Sequence, residues 1–137
     1  MKIIILVPIY NDWQSASKLI EEINSNIVGL ECQFSVIIVN DASSDQQSIN
    51  SLNIENLQSI KVINMKENRG HARCIAAGLK YIYEKEEFDY VIPMDGDGED
   101  RPEELNSLFK KSSENPTKSV TLDRVKRSEG FFFKLLY

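Results

Sequence analysis

Ile3-Ile4-Ile5-Leu6-Val7-Pro8-Ile9-Tyr10-Asn11-Asp12 decides the fold. Five aliphatic side chains in a row, with no polar residue at alternate positions, are the pattern of a strand covered on both faces. Such strands belong to parallel sheets flanked by helices. Pro8 is expected to end the strand and Asn11 or Asp12 to cap the next helix, whose inward stripe is Trp13, Ala16, Leu19, Ile20 and Ile23.

Outward from this segment the pattern repeats. Phe34 to Val39 has the same buried-strand character, and Asn40 to Asp45 is a loop feeding a short helix to about Leu57. Lys61 to Met65 is a third strand. After Asn68-Arg69-Gly70 comes a helix with Ala72, Ile75, Ala76, Leu79 and Ile82 on one stripe. Tyr90 to Met94 is a fourth strand, Pro102 opens a helix with Leu105, Leu108 and Phe109 inward, and Ser119 to Leu122 is a fifth strand. This alternation predicts an α/β fold, a Rossmann-like, mainly parallel sheet with helices on both faces, in a single domain over 1–137. Ligands of such sheets bind beyond the carboxyl ends of the strands, where four polar clusters fall.

The bulk properties agree. A chain of 137 residues, 42% hydrophobic and 27% charged, can bury one core. A net charge of -5 speaks against a nucleic-acid partner. The charge is uneven: ten acids and two bases lie from Glu84 to Glu104, five bases and two acids from Lys118 to Tyr137. The acidic stretch suits a cation and the basic one a phosphate or an anionic surface. Cys32 and Cys74 lack a paired-motif spacing and His71 is the sole histidine, so zinc is not expected and both thiols read as reduced and mostly buried. The apolar run before Pro8 is too short to span a membrane and no signal-peptide pattern follows Met1, so a cytoplasmic protein is expected.

The chemistry concentrates in Met94-Asp95-Gly96-Asp97-Gly98-Glu99-Asp100. Two carboxylates one residue apart on extended chain can point to one side, and adjacent like charges favour a cation between them. Oxygen ligands of this kind suit Mg²⁺ or Mn²⁺ shared with phosphate. A solvated acidic turn is the competing explanation. A calcium loop is excluded because it needs Gly where Asp100 stands and Glu where Asn106 stands, and a dinucleotide fingerprint because it needs Gly at Arg101. Tyr10 could stack on a base with Asp12 reading its edge, although Asp12 is equally a helix cap. Asp41 could accept from a ring N–H or form an Asx turn. Asn68-Arg69-Gly70 offers backbone donors and a cation near phosphate, or is an ordinary loop.

In order, spacing and content these segments resemble the N-terminal half of the family 2 glycosyltransferases with the GT-A fold. Val7-Pro8-Ile9-Tyr10-Asn11-Asp12 is similar to the V-P-x-Y-N-E opening, and Val39-Asn40-Asp41-Ala42-Ser43-Ser44-Asp45 to V-N-D-G-S-x-D. The run from Asn68-Arg69-Gly70 to Gly78-Leu79 resembles N-x-G-x-x-x-A-x-x-x-G, Asp95-Gly96-Asp97 the D-x-D element, and Arg101-Pro102-Glu103 the D-x-P-E continuation. With the tail from Arg124 to Lys134, the chain looks most similar to the polyprenyl-phosphate sugar transferases of the dolichyl-phosphate-mannose-synthase type. Asp12 stands for the commoner Glu, Ala42 for Gly and Glu99 for Gln. Family members continue past this length, so the acceptor-binding part is expected to be absent and the chain a fragment.

The resemblance implies a nucleotide-diphosphate sugar, UDP- or GDP-linked, bound by Pro8, Tyr10, Asp12, Asp41, Asn68, Gly70 and Asp95. It implies Asp95 and Asp97 as the catalytic pair, with Asp97 and Asp95 holding Mg²⁺ or Mn²⁺, and transfer with inversion. Arg124 and Arg127 would grip a lipid-phosphate acceptor, and the protein would sit at the inner face of the membrane. A nucleotide-sugar-binding fragment without turnover is the alternative, and a doubly wound signalling or flavin-binding domain a third. A surface bared by the missing half would favour a homo-oligomer.

Overall fold

The structure, a computed structural model, describes residues 1–45, 49, 52, 54–97, 100–114 and 119–120. In chain order the elements are β1 (Lys2–Ile9), α1 (Trp13–Asn26), β2 (Gln33–Asn40), β3 (Leu57–Asn64), α2 (His71–Lys85), β4 (Tyr90–Pro93), a 3₁₀ turn (Pro102–Glu104) and α3 (Leu105–Glu114). The four strands form one sheet in the order β3-β2-β1-β4, and every pairing is parallel. The expected Rossmann-like α/β architecture is present.

The unbroken aliphatic runs of β1 and β2 are buried because both faces of the sheet are covered. Ile4 and Leu6 pack with Ile37, Val39, Cys74 and Ile82 beneath α2. Ile3, Ile5, Val7 and Ile9, with Phe34, Val36 and Ile38, alternate to the opposite face and are buried as well. On α1 the whole predicted stripe, Trp13, Ala16, Leu19, Ile20 and Ile23, is buried. Asp12 caps this helix, its carboxylate accepting from the backbone N–H of Ser15 at 3.3 Å.

Several expectations are corrected. β1 does not stop at Pro8 but continues to Ile9. Even-numbered residues of β1 turn their backbone groups toward β4, as Leu6 does in accepting the N–H of Met94 at 2.9 Å. Pairing with β4 ends at Leu6, so the missing N–H of Pro8 faces a side with no ladder and costs the sheet nothing. β3 starts at Leu57, where the end of a helix was expected, and stops at Asn64 rather than Met65. β4 ends at Pro93. Ser119 and Val120 are not in a strand, and the rest of the expected fifth strand lies outside the described residues.

On α2 the phase of the buried stripe differs from expectation. Cys74, Gly78 and Ile82 face the sheet, Ile75 is half-buried, and Ala72, Ala76 and Leu79 are exposed. A methyl group at Gly78 would meet Leu6 Cδ1 at 2.5 Å and Val39 Cγ2 at 2.8 Å. The smallest side chain is therefore what lets the helix approach β1 and β2, and counting only large aliphatics mis-phases the stripe by one position. By its contacts the chain divides into Met1–Asn106 and Ser107–Tyr137. The first unit holds the whole sheet. The second holds most of α3, in which Leu108 and Phe109 are half-buried, as far as it is described. Among the described residues no helix is long and apolar enough to cross a membrane.

Candidate functional site

The strand order reverses between β1 and β4: the chain winds outward from β1 to β3 and then returns to the other side of β1. At such a switch point the loops at the carboxyl ends diverge and leave a crevice. Tyr10, Asn11 and Asp12 follow β1, and Asp95, Gly96 and Asp97 follow β4. Gly96 lies beside β1: a Cβ there would be in ordinary contact, 3.6 Å from the Pro8 carbonyl oxygen and 3.5 Å from Ile9 Cγ2.

Hydrogen bonds join the loops across the sheet. The backbone N–H of Asn11 donates to Ser43 Oγ at 2.8 Å, and Asn11 Oδ1 accepts the N–H of Ser44 at 2.7 Å. Asn11 (φ 53) and Ala42 (φ 58) both hold left-handed backbone, which is tolerable for Asn but strained for Ala. Asn40, buried at the end of β2, accepts the N–H of Ser43 at 2.9 Å and donates to Asn64 Oδ1 at 2.8 Å. Trp13 Nε1 donates to the Asp45 carbonyl at 2.9 Å.

Asp41 ties this pair of loops to the next. It is only 3% exposed, and its carboxylate accepts the backbone N–H groups of Arg69 and Gly70, each at 2.8 Å. Gly70 precedes α2 with φ 84 and ψ 159, a conformation largely restricted to glycine. Each Asp41 oxygen takes one of these two bonds. The Arg69 guanidinium pairs with Glu67.

The circuit closes on the β4 loop. His71, the first residue of α2, places Nε2 3.3 Å from Asp95 Oδ1, and the N–H of Asp95 donates to Asp100 Oδ2 at 2.7 Å. Asp95 is half-buried and Asp97 exposed. Both lie beyond the end of β4, with Gly96 and Asp97 in a turn, so the extended geometry expected of the two carboxylates is not what presents them. Below the site the Cys74 thiol donates to the Val39 carbonyl at 3.2 Å, and burial, with the Asp41 charge adding, pushes it up to about 11. It reads as an inert core thiol.

Of the residues expected from sequence, Pro8, Tyr10, Asp12, Asp41, Asn68, Gly70, Asp95 and Asp97 all lie in or beneath these four loops. Tyr10 is 54% exposed, and Pro8 is buried. Arg124 and Arg127 lie outside the described residues. Asn11, expected only as an alternative helix cap, and Ser43, Ser44 and His71, which were given no site role, connect the loops; their signal is position, after a strand or at a helix start. A separate cavity of about 710 Å³ lies at the opposite, amino edge of the sheet, bordered by Met1, Leu30, Cys32 and Phe88, and shares nothing with this site.

Among the described residues no three His, Cys, Asp or Glu side chains gather as a self-sufficient metal cage. That arrangement still fits a nucleotide-shared Mg²⁺ or Mn²⁺, which takes one or two carboxylates and completes its shell with phosphate oxygens and water. Asp97, exposed at the turn, and Asp95 beside it are the residues that would hold it.

The model of the family described as "Glycosyl transferase family 2" matches residues 4–136, and the chain belongs to that family. Among solved structures, S. aureus TarS 1-349 in complex with UDP-GlcNAc is similar with a TM-score of 0.67 and 24% identity, over 93% of this chain and 38% of that one. The same TarS segment in complex with UDP gives 0.64 and 24% over 93% and 39%. A S. aureus TarS structure gives 0.61 and 25% over 83% and 20%. These likenesses establish the GT-A-like fold, and the chain spans less than two-fifths of the length of the TarS chains compared.

Proposed function

We propose that the chain is the donor-binding part of a glycosyltransferase that uses a nucleotide-diphosphate sugar. The observation that carries this is the chain of contacts, the hydrogen bonds Asn11–Ser43 and Asp41–Gly70 and the imidazole–carboxylate pair His71–Asp95, which links four post-strand loops around the β1/β4 switch point. A uracil base is favoured over guanine because the TarS structures of like fold are complexes with UDP-GlcNAc and UDP.

In this assignment Tyr10 offers its exposed ring to the base, and Asp41, already held rigid by two backbone donors, accepts from a ring N–H with a remaining lone pair. Asp95 lies toward ribose and diphosphate, with Asp97 further out. A divalent cation held by Asp97 and Asp95 would offset the charge developing on the departing nucleoside diphosphate. The bond from the anomeric carbon to the diphosphate oxygen breaks as an acceptor oxygen attacks from the opposite face, which inverts that carbon. A polyprenyl phosphate is the acceptor we favour, on the basic tail with Arg124 and Arg127; as an anion it needs no strong base. Binding without turnover by this chain alone is the second possibility.

The test is calorimetric titration of UDP, GDP, CDP and dTDP, each with and without Mn²⁺. We expect Mn²⁺-dependent binding of UDP above the others; no nucleotide binding under any condition would sink the proposal. Product from labelled donor and polyprenyl phosphate would exclude the binding-only alternative.

A further inference from the structure

His71 is the one histidine of the chain and is used by none of the roles above. It is not a core residue, since its side chain is 60% exposed. Its position is set from two directions. Asp41 grips the two residues before it through the N–H groups of Arg69 and Gly70, and Gly70 turns the chain so that His71 is the first residue of α2. From there Nε2 reaches Asp95 Oδ1 at 3.3 Å. On its other side the backbone N–H of Asp95 is held by Asp100 at 2.7 Å.

We infer that His71 is a positioning residue for Asp95: its Nε2–H orients one carboxylate of the β4 loop and couples that loop, through α2 and Asp41, to the base end of the site. The inference rests on the transferase assignment for its consequence, though not for the contact itself. An imidazole with its proton on Nε2 can donate to a carboxylate when neutral, and an imidazolium does so more strongly. The physical logic is that of an imidazole–carboxylate pair around a metal or phosphate site. A carboxylate free to rotate must be ordered when the ligand arrives, whereas one already held by a donor presents its remaining oxygen without that cost.

The contact is tested first in the ligand-free, metal-free chain. Because there is a single histidine, its ring nitrogen and proton resonances need no assignment. Replacing Asp95→Asn should shift them, and unshifted resonances would overturn the inference whatever the protein binds. Its consequence is tested by titrating UDP with Mn²⁺, and uridine alone, into the parent, His71→Ala and His71→Gln. We expect His71→Ala to weaken Mn²⁺-dependent UDP binding about tenfold, with uridine binding unchanged. His71→Gln, whose amide can donate from a similar distance, should recover most of the loss. Equal UDP affinity in parent and His71→Ala, or a parallel loss for uridine and UDP, would overturn it, the second because it marks a general disturbance of the helix start. A shifted histidine signal in a parent that binds no nucleotide would sink the transferase assignment, and the role in binding with it, while leaving the contact standing.

Discussion

The Oδ2 atom of Asp41 accepts the backbone N–H of Gly70 at 2.8 Å, so a side chain at the end of β2 sets where α2 begins. Oδ1 takes the N–H of Arg69 at the same distance. A residue that sequence motifs present as a ligand contact is thereby also a structural latch between two loops. Asp41→Ala should cost about 2 kcal/mol, the scale of charge-assisted bonds to a buried group, and Asp41→Asn, which keeps only one acceptor, should cost less. Urea denaturation of the three proteins checks this order; a stability equal to the parent's for Asp41→Ala would show that the latch contributes nothing.

Gly78 is predicted to resist even the smallest enlargement. The added methyl group in Gly78→Ala would press on Leu6 and Val39, and overpacking of this kind costs about 1–3 kcal/mol. The better helix propensity of Ala returns about 1 kcal/mol. The expected result is a net loss of about 1 kcal/mol, seen as a lower denaturation midpoint; a raised midpoint would show that α2 shifts outward freely.

Ala42 should behave in the opposite way. Its φ of 58 is a conformation that costs an L-residue about 1–2 kcal/mol. Ala42→Gly removes that strain and frees more of the unfolded chain, so a net gain of about 0.5 kcal/mol is expected. No gain in thermal or urea stability would mean the loop relaxes without cost.

Asp97→Asn should leave the midpoint of unfolding near the parent's, because the side chain is exposed, while weakening Mn²⁺-dependent UDP binding about tenfold or more. Identical titration curves for variant and parent with Mn²⁺ present would remove Asp97 from the proposed cation site.

The Cys74 thiol, raised from 9.0 to about 11 by burial, links stability to alkaline pH. The folded state keeps its proton where the unfolded chain releases it. The stabilisation is thus whole below pH 9 and falls between about pH 9 and 11, by up to about 1.4 kcal/mol per pH unit. Lys2 and Lys61, raised by their partners Glu87 and Glu86, also lose stabilisation at high pH, so the diagnostic is the difference from Cys74→Ala. That variant, though less stable at neutral pH, should show a shallower decline over this window; parallel pH profiles would contradict the assignment. Native Cys74 should also react far more slowly with thiol reagents than half-buried Cys32.

The parallel sheet, its flanking helices α1 and α2 and the four polar loops were legible in the chain itself. Side-chain burial has a period, and the uninterrupted run Ile3–Val7 admits no one-sided strand. The D-x-D loop could be placed after a strand for the same reason. What required the tertiary structure was every relationship between segments distant in sequence. The passage of β1 through Pro8 depends on where β4 stops pairing. The phase of α2 depends on a glycine fitting against Leu6 and Val39. The grip of Asp41 on Gly70 and the reach of His71 to Asp95 join loops that periodicity treats as independent. Local patterns report which face of an element is buried; which side chains meet across four strand ends is settled only by the register and winding of the sheet.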